Sequence, residues 1–154
     1  MIEEKLEKKI VDKIKSLEIP NSAVYGIWGE SSKLYRESPN KRAIIVVKVP
    51  SRGFDTFGIC EVQFDITISL VVRLDMCNSG NDVTDIAQPL IKMMNDWNLV
   101  ESSNELEDFM VDGFYPGGVQ VNQGQGPDID RDSKTFSNTF NIVLRGTVEC
   151  GCNE

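Results

Sequence analysis

No histidine occurs anywhere in the 154 residues. That removes the side chain that most often moves protons near neutral pH, and the commonest imidazole ligand for zinc. Cysteine is scarce too: Cys60, Cys77, Cys150 and Cys152 are the four. None stands in Cys-x-x-Cys spacing, and Cys150-Gly-Cys152 puts both thiols on one side of an extended chain. With no export signal visible, they read as small reduced side chains near strand ends rather than as disulfides or a zinc site. No apolar run approaches the roughly 18 residues of a membrane span. The opening Met-Ile-Glu-Glu-Lys-Leu-Glu-Lys-Lys-Ile alternates charge and has no apolar core, so the chain reads as cytoplasmic when made. Positive charge is in deficit, with 16 Lys and Arg against 24 Asp and Glu, a net charge of −8. A gripping contact with nucleic acid needs cationic surface to displace counterions, and local pairs such as Lys41-Arg42 are too few to supply it.

What is present is an ordinary apolar share of 40%, enough for one domain with a substantial core. Its organising stretch is Glu61 to Asp75. Val62, Phe64, Ile66, Ile68, Leu70, Val72 and Leu74 occupy every even position, and the odd positions are polar apart from Val71. Period-2 alternation of this length predicts one long strand with a dry and a wet face. Residues 135 to 150 repeat the pattern through Phe136, Phe140, Ile142, Leu144, Val148 and Cys150, so a second long strand is expected beside the first, both dry faces turned to the helices.

The spacing of Ile2, Leu6, Ile10, Ile14 and Leu17 predicts an amphipathic helix over 2–18, supported by a Glu4–Lys8 pair and stopped by Pro20 and Asn21. Ala23 to Trp28 reads as a short strand and 29–40 as a loop. Ala43 to Val49 is a β-branched run with apolar residues on both faces, expected as an interior strand that Pro50 ends. The segment 51–58 then joins it to the long strand as an antiparallel hairpin. After a turn at 77–80, Asp82 can cap a helix reaching Asn98, with Val83, Ile86, Ala87, Leu90, Met93, Met94 and Trp97 on one face and a kink at Pro89. Phe109 to Val111 and Val119 to Val121 read as short strands. Residues 122–134, rich in Gly and Asp, read as a mobile loop.

Motif by motif, chemistry is sparse. Gly124-x-Gly126 lacks the third glycine and following helix of a nucleotide fingerprint. Asp128, Asp130 and Asp132 imitate the opening of a calcium loop, but Ser133 stands where glycine is needed and Thr139 where the bidentate Glu belongs. No cofactor or metal is expected, and no catalytic residue is assigned. Phe54 and Phe57 near a hairpin tip either fold back on the core or anchor in a partner subunit. With Phe114 and Tyr115 they are the candidate interface residues.

Helix, strand, long hairpin, helix, strands, long strand is the order of an α+β domain, with a largely antiparallel sheet and helices on one face. Long strands present edges that neighbouring copies could cover, so ring assembly is a physical expectation. This layout resembles the tail terminator proteins of tailed bacteriophages and prophages. The resemblance rests on the N-terminal helix, the Ala43–Val49 strand, the Phe64–Asp75 strand followed by Asn81–Trp97, and Phe136–Val148 with its Asn-Ile-Val-Leu-Arg-Gly-Thr-Val ending. Pro89 and the Gly-rich loop fall outside the pattern. The resemblance implies a non-catalytic homo-oligomeric ring, hexameric in that family, made in the host cytoplasm and built into the virion tail and neck. There it would cap the tail tube and meet the head-completion or neck protein, while DNA slides past an acidic wall without specific binding and no membrane is involved. Two alternatives remain open: another phage neck or minor tail protein, or a small ligand-binding or enzymatic domain using the 122–134 loop as a lid. For that last reading, Asp65 and Asp128 are carboxylates without an identifiable mate.

Overall fold

The computed structural model describes residues 1–30, 40–50, 61–78, 82–98 and 106–148. Helix α1 spans Ile2–Lys15, β1 Ser22–Gly26, β2 Ala43–Lys48, β3 Glu61–Arg73, α2 Asp82–Asn98, β4 Phe114–Gln123, β5 Asp128–Asp130 and β6 Thr135–Val148. Single 3-10 turns occupy Leu74–Met76 and Glu107–Phe109. The strands form one six-stranded sheet in the order β1-β2-β3-β6-β4, with β5 also against β6. Among the described strands, the β1–β2 contact alone is parallel and the other pairings are antiparallel. The protein is therefore α+β, as the alternation and element order predicted.

The two long strands define the frame. β3 and β6 pair without interruption from Glu61 opposite Thr147 to Arg73 opposite Thr135. Even residues of β3 meet even residues of β6, so Phe64 faces Leu144, Ile66 faces Ile142 and Ile68 faces Phe140. All six lie within the core, and a one-residue slip would turn each of them to the wrong face. β2 continues the apolar surface with Ala43, Ile45 and Val47, each fully buried, while Ile44 and Val46 on its other face are half-buried. That matches an interior strand apolar on both sides.

Both helices close over the buried face, α1 against β1 and β2, α2 against β4. Leu6, Ile10, Val11 and Ile14 come from α1, and Ile86, Leu90, Met93, Met94 and Trp97 from α2. Each such side chain contributes on the order of 1.5–3 kcal/mol by leaving water. The first helix stops at Lys15, before the expected residue 18. Glu18 takes a left-handed φ of 54° and Asn21 one of 51°, so the chain turns out of the helix ahead of Pro20. Lys8 pairs with Asp12 one turn onward, at 2.8 Å. Helix α2 runs through Pro89 as one element, and Asp82 Oδ2 accepts the backbone N–H of Asn78 at 2.6 Å and faces Arg42 at 3.7 Å.

Three expectations are corrected. The strand expected at Phe109–Val111 is a 3-10 turn through Phe109, after which Val111 makes a lone bridge to Phe114. Trp97 holds this turn in place: its ring lies 4.8 Å from Phe109, and its indole N–H donates to Asp108 at 3.0 Å. The short strand expected at Val119–Val121 is a ten-residue strand that begins at Phe114 and passes Pro116 with a bulge before Gly118. Part of the expected 122–134 loop is strand too. β5 pairs with Ser137, Phe136 and Thr135, while Gly124 N donates to Thr139 O at 2.7 Å and Thr139 N to Gln125 O at 2.8 Å. Gly126, at φ 95°, packs its Cα onto the Ser137 carbonyl, a position closed to larger residues.

Candidate functional site

β3, β6 and β4 run on together past the end of β2. Lys48 is level with Thr67, six residues short of Glu61, whereas Tyr115 is level with Thr147 and Glu61. Among the described strands this offset is roughly 20 Å by strand rise. Of the four candidate interface residues, Phe114 and Tyr115 lie at this end of β4, and the structure separates them.

Phe114 is not a surface anchor. It is fully buried, its ring edge-on to Phe64 with centroids 5.4 Å apart. Gly146 makes the space: a Cβ there would collide with the Tyr115 carbonyl oxygen and the Phe114 ring. Tyr115, the next residue, alternates to the opposite face and is 51% exposed. Beside it Met110 is also exposed, and the two border a shallow cavity of about 630 Å³ with Lys9, Glu107, Asp112 and Gly113. Lys9 closes the base by donating to Met110 O at 2.6 Å. Phe54 and Phe57 lie outside the described residues.

On the other side of α1, Glu7 is a functional-looking residue that the helical apolar stripe does not reveal. Only 2% exposed, it accepts the backbone N–H of Trp28 at 2.7 Å and of Val49 at 3.2 Å. Trp28 in turn donates its indole N–H to Val49 O at 2.7 Å. One carboxylate thus takes up the N–H of Trp28, in the helical turn after β1, and that of Val49, just past β2, and Gly26 leaves it room. Burial pushes its pKa up, the two N–H donors pull the other way, and the negative charges of Glu30 and Glu4 add to the rise. The missed signal was positional, since Glu7 follows the core residue Leu6 and shares the inner side of the helix.

Between the helices lies a cleft of about 500 Å³, with Leu17, Met93 and Trp97 on its floor and Lys13, Lys92, Asp96 and Asp108 at its rim. Lys13 and Asp108 approach to 3.6 Å across it. The rim charges offset one another, so the cleft has no strong electrostatic preference.

The remaining sequence candidates fall apart in space or into local structure. Asp65 is exposed on β3, where Gln63 donates to it at 3.1 Å. Asp128 is exposed on β5. Asp130 folds back on its own turn, accepting the N–H of Asp132 at 3.0 Å and of Ser133 at 3.4 Å, and those bonds lower its pKa. Cys77 is a half-buried free thiol beside the Arg73 carbonyl, and burial followed by the charge of Asp82 raises its pKa. Cys60, Cys150 and Cys152 lie outside the described residues. Among the described residues no group of three or more Cys, Asp or Glu could hold a metal ion, and no helix is long and apolar enough to cross a membrane.

No protein-family model matches the chain, and no curated protein matches it.

Proposed function

We propose that the chain is a structural subunit that assembles with copies of itself into a ring, in the manner of phage tail terminators. One observation carries the reading: β3 and β6 are locked together along the whole of β3, a ribbon roughly 40 Å long. A plate of that length, with α1 and α2 packed on its buried face, suits a wall element of an assembly. In this reading the ring is hexameric and sits at the head-proximal end of the tail tube, between the tube protein and the head-completion protein. It is made in the host cytoplasm and ends in the virion. The excess of Asp and Glu leaves DNA free to slide through. A role at another point of the neck or tail would use the same plate with a different partner. To act as a lid, the Gly- and Asp-rich segment would have to detach from β6, to which β5 and the Gly124–Thr139–Gln125 bonds hold it.

Electron microscopy of the protein mixed with growing tail tubes tests the proposal. Decoration of one tube end with an arrest of growth is the expected result. Tubes that lengthen undecorated would overturn the terminator role.

A further inference from the structure

A sheet edge exposes unpaired N–H and C=O groups and invites another strand, and natural edges are commonly guarded by charge. β4 is such an edge. From Phe114 to Pro127 the chain has no charged residue, within a protein whose charged fraction is 26%. Copies carrying −8 each repel one another, and this uncharged strand is a line along which they can approach closely. Val119-Gln-Val-Asn-Gln123 also has the β-branched and amide side chains that favour strand stacking.

Among the described residues, what guards the edge is a single amide. Asn98, the last residue of α2, accepts the N–H of Val121 at 2.6 Å and donates to its C=O at 3.0 Å. Both backbone groups of Val121 therefore point away from β6, and strand alternation points those of Val119 the same way. Among the described residues, the bonds reaching the outer backbone edge of 118–123 come from Asn98. Its side chain stands in for one residue of a neighbouring strand. We infer that the outer edge of β4 is a strand-pairing surface for a second copy of this chain, and that Asn98 is a removable clamp holding it closed. The inference rests on the reading that copies assemble, and it names the edge through which they do so.

Withdrawal of Asn98 frees two groups that a partner strand satisfies at once. Removing the clamp should favour association, and removing the outward donor or adding like charge should oppose it. Light scattering of the full chain over a concentration series, with Asn98→Ala, Val119→Pro and Gln120→Glu, tests this. Proline at 119 removes an outward N–H and leaves the β4–β6 ladder intact, and Gln120 is exposed, so its exchange to Glu leaves the fold alone. Asn98→Ala should lower the midpoint concentration of association about tenfold, and the other two should raise it about tenfold. Amide exchange at Val121 should quicken in monomeric Asn98→Ala and slow on association. Association of Asn98→Ala alone, with the wild type monomeric, would support the clamp and count against a spontaneous ring. If the wild type assembles and all three variants assemble alike, the β4 edge is not the surface and the ring reading stands. If none associates, both readings fall.

Discussion

Glu7 shows how one side chain can decide the shape of a sheet corner. Its folded pKa lies above the ordinary carboxylate value because burial outweighs two N–H bonds. A raised acid binds its proton more readily when folded, so its contribution to stability is most favourable below the unfolded pKa and declines as pH rises through the folded value. Glu7→Gln keeps one acceptor and opposes the other backbone N–H with an amide donor, which costs about 1–3 kcal/mol. It cannot gain a proton, so its deficit against the wild type should be larger near pH 5 than near pH 8. Urea unfolding at both pH values checks this; an equal deficit at the two would show that Glu7 does not titrate in the folded protein. Phe114 and Tyr115 give a second contrast. Phe114→Ala should cost about 3–5 kcal/mol, because the ring fills a closed space against Phe64. Tyr115→Ser should shift stability by under about 0.5 kcal/mol and weaken self-association. Equal losses of stability in the two variants would contradict the separation of core and surface at this end.

Among the elements, those with an unbroken period were legible and those whose signal was local were not. Alternation through Phe64, Ile66, Ile68, Leu70 and Val72 revealed β3, its face and its pairing with β6, because one buried side enforces the register. The helical stripe of Ile86, Leu90, Met93 and Trp97 likewise gave α2 across Pro89. β4 was mostly invisible, since Pro116, Gly117 and Gly118 argue against a strand, and only the ladder supplied by β6 overrides them. β5 hid for the same reason, its Asp-Ile-Asp reading as loop until its pairing is seen. The candidate site was less legible still: the Phe114-Tyr115 pair does not say which ring turns inward, and neither Glu7 nor Asn98 has a sequence signature, since each acts on backbone far along the chain. Pro89 keeps one helical C=O without its donor. Pro89→Ala should therefore raise stability by about 1–3 kcal/mol in thermal unfolding, and a loss would mean that the pyrrolidine ring is needed in the cleft between the helices.

For the whole molecule, the layout joins a long two-stranded ribbon, a helical layer on one face and an uncharged strand at one rim. In the proposed reading, an acidic subunit of this kind gains from a neighbour at the rim and not from DNA. Charge also makes assembly depend on salt: at net −8 per copy, raising ionic strength should strengthen association until repulsion is screened, over a range of roughly 0.05–0.5 M. The most direct measurement of the central claim is the mass of the purified chain by light scattering at high concentration and moderate salt. A ring requires a closed species several times the mass of one chain, with a single defined size. A lone chain at every concentration and salt would contradict it.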